Sequence, residues 1–339
     1  MSGKQRLDWV DSAKGIGIVL VVYGHVARGL EHGGILAHSR LYRLVDASIY
    51  SFHMPLFFFL SGLFFLSSFR KQGIGLLRSK VGSIVYPYLF WSVLQLGFKM
   101  VMSGYTNSQA GWADMLTILW RPIEQFWFLY ALLLIFIVTS LVFSLLGRMR
   151  MTEPRQVAVT TVFSLLLFFF SYLLPGVFQV QTVAHYMVYF VLGICFASYR
   201  QAPSSKRAIV ALPVCFLLAC YSVFYEGEWS ADSSSMQLAL AIAGISTIVT
   251  IIPFFARRFA GFVAWLGRYS MEIYCAHVIT ASGVRIALHH FLTIDHVIPH
   301  LVFGLLAGLL LPIFLAHILK RVFLVRFLSQ ASIAGQPSL

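Results

Sequence analysis

Residues 6–30 read RLDWVDSAKGIGIVLVVYGHVARGL, an apolar run of membrane-crossing length that nevertheless carries Asp11, Lys14 and His25. On a helix the step from Lys14 to His25 covers about 16 Å of axis and about 1100°, a net rotation of only roughly 20°. The two side chains therefore share one face, with Asp11 one turn below Lys14 on nearly the same stripe. If Lys14 marks one membrane surface, His25 lies near mid-depth of a hydrocarbon core about 30 Å thick. Ionisable groups facing lipid at that depth are costly, so the stripe is read as facing the bundle interior or a wet cavity. A neutral imidazole there can serve as a general base, its second nitrogen set by a carbonyl or carboxylate. Asp11 is too far along the helix to touch His25, which leaves it to pair Lys14 or anchor a ligand. The purely structural alternative is a buried histidine satisfied by a neighbouring carbonyl or hydroxyl.

Composition sets the class. The 339 residues are 59% hydrophobic and 11% charged, with mean hydropathy +0.82, outside the range of soluble domains. The expected fold is all-α, a polytopic membrane helical bundle. A formal net charge of +13 raises the question of nucleic acid, but the basic residues fall in short clusters between apolar spans, as topology signals do, so no nucleic-acid partner is expected. Cys195, Cys215, Cys220 and Cys275 all lie in apolar segments without metal-ligand or disulfide spacing. They are read as packing residues, and no metal is expected. The first apolar run is not followed by a cleavage-site pattern, so the first span is expected to be retained.

Apolar runs fall near 12–30, 46–68, 81–102, 125–147, 157–175, 183–199, 208–225, 236–256, 264–288 and 298–325. Ten spans put both termini on one side, and the distribution of Lys and Arg tests that arrangement. A cytoplasmic N-terminus collects most of the 25 basic residues at the inner surface and leaves only Arg28, Arg40, Arg43, Lys99, Arg121 and Arg285 on the other. The outer loop EGEWSADSSS contains no base at all. The expectation is about ten transmembrane helices with cytoplasmic N- and C-termini, one membrane domain over 1–330, and a frayed polar tail over 331–339. No loop is long enough for a second domain, and no internal repeat is evident.

Three further stretches place chemistry in this bundle. SFHMPLFFFLSGLFF, 51–65, brings His53 to the outer end of an aromatic span, with Pro55 in its first turn and Ser61 and Gly62 as a close-packing step. RPIEQFWFLYALL, 121–133, spaces Glu124, Trp127 and Tyr130 along the outer turns of the fourth span, either as an interfacial belt or as a platform for a sugar. LGRYSMEIYCAHVI, 266–279, carries Arg268 at the inner surface and Glu272 and His277 one or two turns deeper. With His25, this places two histidines and a carboxylate in the membrane interior, a composition common to proton relays and acyl-transfer sites.

These stretches resemble acyltransferase family 3, the integral-membrane acyltransferases, in particular the branch of fucose 4-O-acetylase and related acetyltransferases. The resemblance rests on a basic residue ahead of a histidine in the first span (Lys14, His25), FHMPLFFFLSG at 52–62, FWFL at 126–129 and LGRYSMEIYCAH at 266–277. It implies transfer of an acetyl group from cytoplasmic acetyl-CoA to a sugar hydroxyl at the outer side of a bacterial inner membrane. The acceptor would be an extracytoplasmic or lipid-linked glycan. The family's functional histidine maps onto His25 and its basic partner onto Lys14, where many members carry Arg; a bidentate phosphate contact becomes a point-charge one. The extra hydrolase-like domain of some members has no counterpart in these residues.

Under that reading Lys14, Asp11, Arg70, Lys71 and Arg268 form the donor site for the polyanionic nucleotide. His25 is the base, with His277 and Glu272 completing the catalytic group. His53, Glu124, Trp127 and Tyr130 face the acceptor. Two other classes compete: a proton-coupled transporter or flippase of a glycan intermediate, using the His and Glu residues as a relay, and a non-catalytic membrane subunit. A relay calls for acids through the membrane, whereas an acyltransferase calls for cations at the inner mouth and a base at depth.

Overall fold

The computed structural model describes residues 3–102, 111–199, 206–226, 234–255 and 260–322, and every regular element among them is helical. Six stretches are long and apolar enough to cross a membrane: Asp8–His32, Arg40–Val101, Glu124–Arg148, Val177–Tyr199, Ser234–Ile252 and Val297–Ile318. The chain is a multi-pass membrane protein. Its outward surface agrees: along the helix Glu153–Phe169, Val159, Val162, Leu166 and Phe169 recur at helical spacing and are all exposed, a stripe suited to lipid.

Arg40–Val101 is not one rod, since its 62 residues would span about 93 Å, three bilayer cores. Proline explains two of its breaks. Pro55 has no N–H for the Ser51 carbonyl and its ring crowds that oxygen, so one helix ends at Tyr50 and the next begins at His53. Pro87 stands in the same relation to Ser83, inside the π-helical stretch Val81–Val85. The 264–288 run, read from sequence as one span, is interrupted at Tyr269 (φ −98°, ψ 13°) between helices Ala260–Arg268 and Ser270–Ile286.

The chain forms two compact units, each drawn from separate stretches. Of the described residues, the first holds those within 3–54, 94–111 and 206–322, and the second those within 55–93 and 112–199. In the first, the helix Gly3–His32 packs against Ala260–Arg268, Ser270–Ile286 and Val297–Val322. Gly267 sets the closest approach: a Cβ there would stand 1.7 Å from the Asp11 carbonyl oxygen. In the second, Phe58, Phe59 and Phe65 are fully buried, so the phenylalanine cluster is core rather than lipid surface. Gly62 has the packing role expected of it, since its Cβ would fall 1.9 Å from the Phe190 carbonyl oxygen. Ser61 is satisfied within its own helix by the Phe57 carbonyl at 2.8 Å. All four cysteines are free thiols, Cys220 and Cys275 buried in the packing, Cys195 half-buried and Cys215 exposed. The tail 331–339 and Arg200, Arg257, Arg258 and Arg326, which the sequence reading assigns to the inner surface, lie outside the described residues.

Candidate active site

The first unit gathers three histidines. His25 is half-buried on the first helix, and its ring centroid lies 5.0 Å from that of His277 at an interplanar angle of 63°. His277 is fully buried, and its Nδ1 lies 2.8 Å from the Tyr274 carbonyl oxygen and 3.1 Å from that of Ile273. A carbonyl only accepts, so Nδ1 carries the proton and Nε2 is the lone-pair nitrogen. That Nε2 is buried with no hydrogen-bond partner among the described residues, an arrangement that costs about 1–3 kcal/mol. His53 is anchored in the same way. Its Nδ1 donates to the Ile49 carbonyl at 2.8 Å across the break before Pro55, which again leaves Nε2 as acceptor. Although read from sequence near the span's outer rim, His53 is only 2% exposed, and it is an electrostatic neighbour of His25 together with His277 and Arg28.

A frame that the sequence reading passed over stands one turn beyond His25. Arg28 grips Asp46 through both forks, Nε to Oδ1 at 2.9 Å and Nη2 to Oδ2 at 2.7 Å. Its guanidinium lies 3.2 Å from the centroid of Tyr50, whose ring in turn meets that of His53 edge-on at 4.5 Å. Bidentate geometry and stacking together hold the guanidinium rigidly. The signal was present in the sequence. Arg28 follows His25 by three residues, hence on the same face, and Asp46 is an acid inside an apolar helix; what sequence does not display is that the two meet.

At the other end of the stripe, Lys14 lies 4.0 Å from Asp11, a loose pair with about a third of the lysine side chain exposed. Arg268 is exposed on the packed helix Ala260–Arg268 and interacts electrostatically with Asp11. Three of the five residues assigned to the donor site thus meet in one unit. Glu272 is half-buried in the first turn of Ser270–Ile286, about 140° around the helix and about 7.5 Å along it from His277.

The remaining candidates belong to the second unit. Arg70 is exposed and forms a two-point ion pair with Glu153, Nε to Oε2 at 2.6 Å and Nη2 to Oε1, while Lys71 is exposed beside it. The Arg70 hydrogen bonds hold the Glu153 carboxyl below the usual carboxylate range. Trp127 opens the helix Trp127–Arg148 and lies 5.0 Å from the Tyr186 ring, which stacks on Phe58 at 5.0 Å. Tyr130 donates its hydroxyl to the Leu119 carbonyl at 3.0 Å, and Glu124 is exposed in a preceding turn at φ +40°. The acid and the two aromatics spaced along the sequence therefore have three different surroundings.

The described residues thus form a multi-pass helical protein whose first helix carries Lys14 and His25, with the His25 ring set against that of His277. Residues 7–317 match the family model of the acyltransferase domain, and the chain belongs to acyltransferase family 3. Among curated proteins it is similar to the nodulation protein NolL of Sinorhizobium fredii, 27% identical over 240 residues that cover 66% of this chain and 57% of the relative. It is also similar to NolL of Mesorhizobium japonicum, 35% identical over 136 residues, 38% of this chain and 34% of the relative. The chain thus spans between about a third and just over half the length of these relatives. No solved structure shows a significant match.

Proposed function

We propose that the protein is an O-acetyltransferase of a bacterial inner membrane, moving acetyl from cytoplasmic acetyl-CoA to a sugar hydroxyl of an extracytoplasmic or lipid-linked glycan. The observation that carries the reading is the first helix: Lys14 in its first half, and about 16 Å further along the same face a half-buried His25 set against the buried His277. Each of the ten apolar runs contains helix, and ten crossings with both termini cytoplasmic remain the topology that best segregates the basic residues. That topology directs Lys14 and Arg268 inward and His25 to mid-membrane.

The chemistry follows from charge and depth. Lys14 and Arg268 attract the nucleotide phosphates, with Asp11 steering the lysine; Arg70 and Lys71 add cations, Arg70 on release from Glu153. The thioester arm reaches toward His25, and the acceptor enters from the outer side, where His53 and the Arg28 frame line the approach. Glu124, Trp127 and Tyr130 are proposed as further contacts to the glycan. As the hydroxyl oxygen attacks the thioester carbonyl, His25 takes its proton; the C–S bond breaks, and the proton returns to the leaving CoA thiolate. The polar groups favour this over a relay: acids do not continue along the stripe past Asp11, and Asp46 is committed to Arg28.

The donor assignment is tested by acetyl-CoA binding. Lys14→Ala is expected to weaken the Kd for acetyl-CoA about tenfold, since a partly desolvated charge contact of this kind is worth about 1.5–3 kcal/mol. Isothermal titration of the purified protein in lipid nanodiscs measures it. An unchanged Kd removes Lys14 from the donor site. Glycan movement by vesicles without consumption of acetyl-CoA supports the transporter instead.

A further inference from the structure

We infer that His277 is the positioning residue that fixes which nitrogen of His25 acts as the base; the inference rests on the acetyltransferase reading for its kinetic consequence but not for its geometry. Three observations converge on it. His277 donates its Nδ1–H to the carbonyls of Tyr274 and Ile273, so its tautomer is set by backbone that cannot rearrange without unwinding the helix. Its Nε2 is a buried lone pair with no hydrogen-bond partner among the described residues. The ring beside it, 5.0 Å between centroids, is His25, whose nitrogens no hydrogen bond holds among the described residues.

A lone pair fixed in place next to an unanchored imidazole has one natural complement, the N–H of that imidazole. Rotation of the His25 ring brings one N–H onto His277 Nε2. The opposite nitrogen of His25 then necessarily bears the lone pair and is the one turned to the substrates. When it takes the acceptor's hydroxyl proton, His25 becomes a cation whose N–H bond to His277 is charge-assisted and shorter. When the C–S bond breaks, the proton goes to the CoA thiolate and His25 returns to its starting tautomer. His277 neither gains nor loses a proton in the cycle. It thus does the orienting work that a carboxylate does behind many catalytic histidines, but without adding a negative charge to the membrane interior.

Two substitutions separate this role from packing. An Asn amide reaches about where Nδ1 stands and a Gln amide about where Nε2 stands. His277→Asn therefore keeps the backbone anchor and loses the acceptor, whereas His277→Gln places an acceptor oxygen beside His25. With membrane vesicles from the producing strain as the source of acceptor and radiolabelled acetyl-CoA as donor, His277→Asn is expected to lower kcat about 100-fold, within the usual range of acid–base effects, with KM for acetyl-CoA within twofold. His277→Gln is expected to recover at least tenfold of that loss. A merely structural role predicts the reverse order, and Asn as active as wild type overturns the inference. A readout independent of activity is nitrogen-15 NMR of the histidine-labelled full chain in nanodiscs, with the signals assigned by their loss in His25→Gln and His277→Gln. A protonated Nδ1 and lone-pair Nε2 on His277 are expected, and the opposite tautomer overturns the proposal. If wild type transfers no acetyl but the tautomers are as described, the acetyltransferase reading fails while the pairing stands.

Discussion

His25→Ala is expected to reduce acetyl transfer at least about 1000-fold while the protein still inserts and folds. General acid–base catalysis contributes about 10²–10⁴-fold, and the two neighbouring histidines are poorly placed to take over. His277 and His53 keep a lone pair on Nε2, but each ring is held by its Nδ1 on a backbone carbonyl and is almost wholly buried, which keeps that lone pair from reaching the acceptor hydroxyl as His25 does. Truncating a half-buried ring removes little packing, so thermal unfolding should shift by no more than a few degrees. The donor end of the stripe is about 16 Å away, so acetyl-CoA affinity should stay within about twofold of wild type. Transfer at the wild-type rate by a well-folded His25→Ala protein would remove His25 from the reaction.

Gly267→Leu is expected to have the largest effect on assembly. The nearest atoms to a Cβ at Gly267 are backbone: the Asp11 carbonyl oxygen at 1.7 Å, its carbon at 2.6 Å and the Gly15 nitrogen at 2.9 Å. Backbone cannot swing aside as a side chain can. The crossing is reciprocal, since a Cβ on Gly15 would meet the Val263 carbonyl oxygen at 2.0 Å. Any side chain therefore forces the helices Gly3–His32 and Ala260–Arg268 apart, and overpacking of this kind costs about 1–3 kcal/mol or more. Asp11 and Lys14 lie at that crossing and move with it, so the yield of folded protein and acetyl-CoA affinity should fall together. Gly283→Leu is the control, because nothing lies within 4 Å of a Cβ there. Equal unfolding temperatures for the two variants would contradict the close crossing.

Much of this was legible in the residues, for a physical reason. Hydropathy and the segregation of Lys and Arg report burial in lipid directly, so each apolar run contains helix in the structure. The 11-residue step from Lys14 to His25 needed only helix geometry. What pattern could not supply was the meeting of distant side chains. Arg28 counted as an outer-surface charge, yet its partner is Asp46 and its platform Tyr50, on the next helix. Arg70 counted as a free cation, but it holds Glu153. For His53, position near the span's end left open a place at the rim or an approach to the first helix, and the structure has it buried as a neighbour of His25. Tyr269 interrupts the 264–288 run without a proline to announce it.

In the proposed reaction acetyl enters at the cytoplasmic surface and leaves on a sugar, with His25 between. Sealed vesicles of the two orientations, carrying the wild-type protein and the strain's own glycan acceptors, test it with radiolabelled acetyl-CoA supplied only outside. The account predicts that inside-out vesicles incorporate label into glycan, that right-side-out vesicles incorporate about 100-fold less, and that inside-out vesicles with His25→Ala fall to that same background. Equal labelling from both orientations, or labelled glycan from inside-out vesicles that survives His25→Ala, would contradict it.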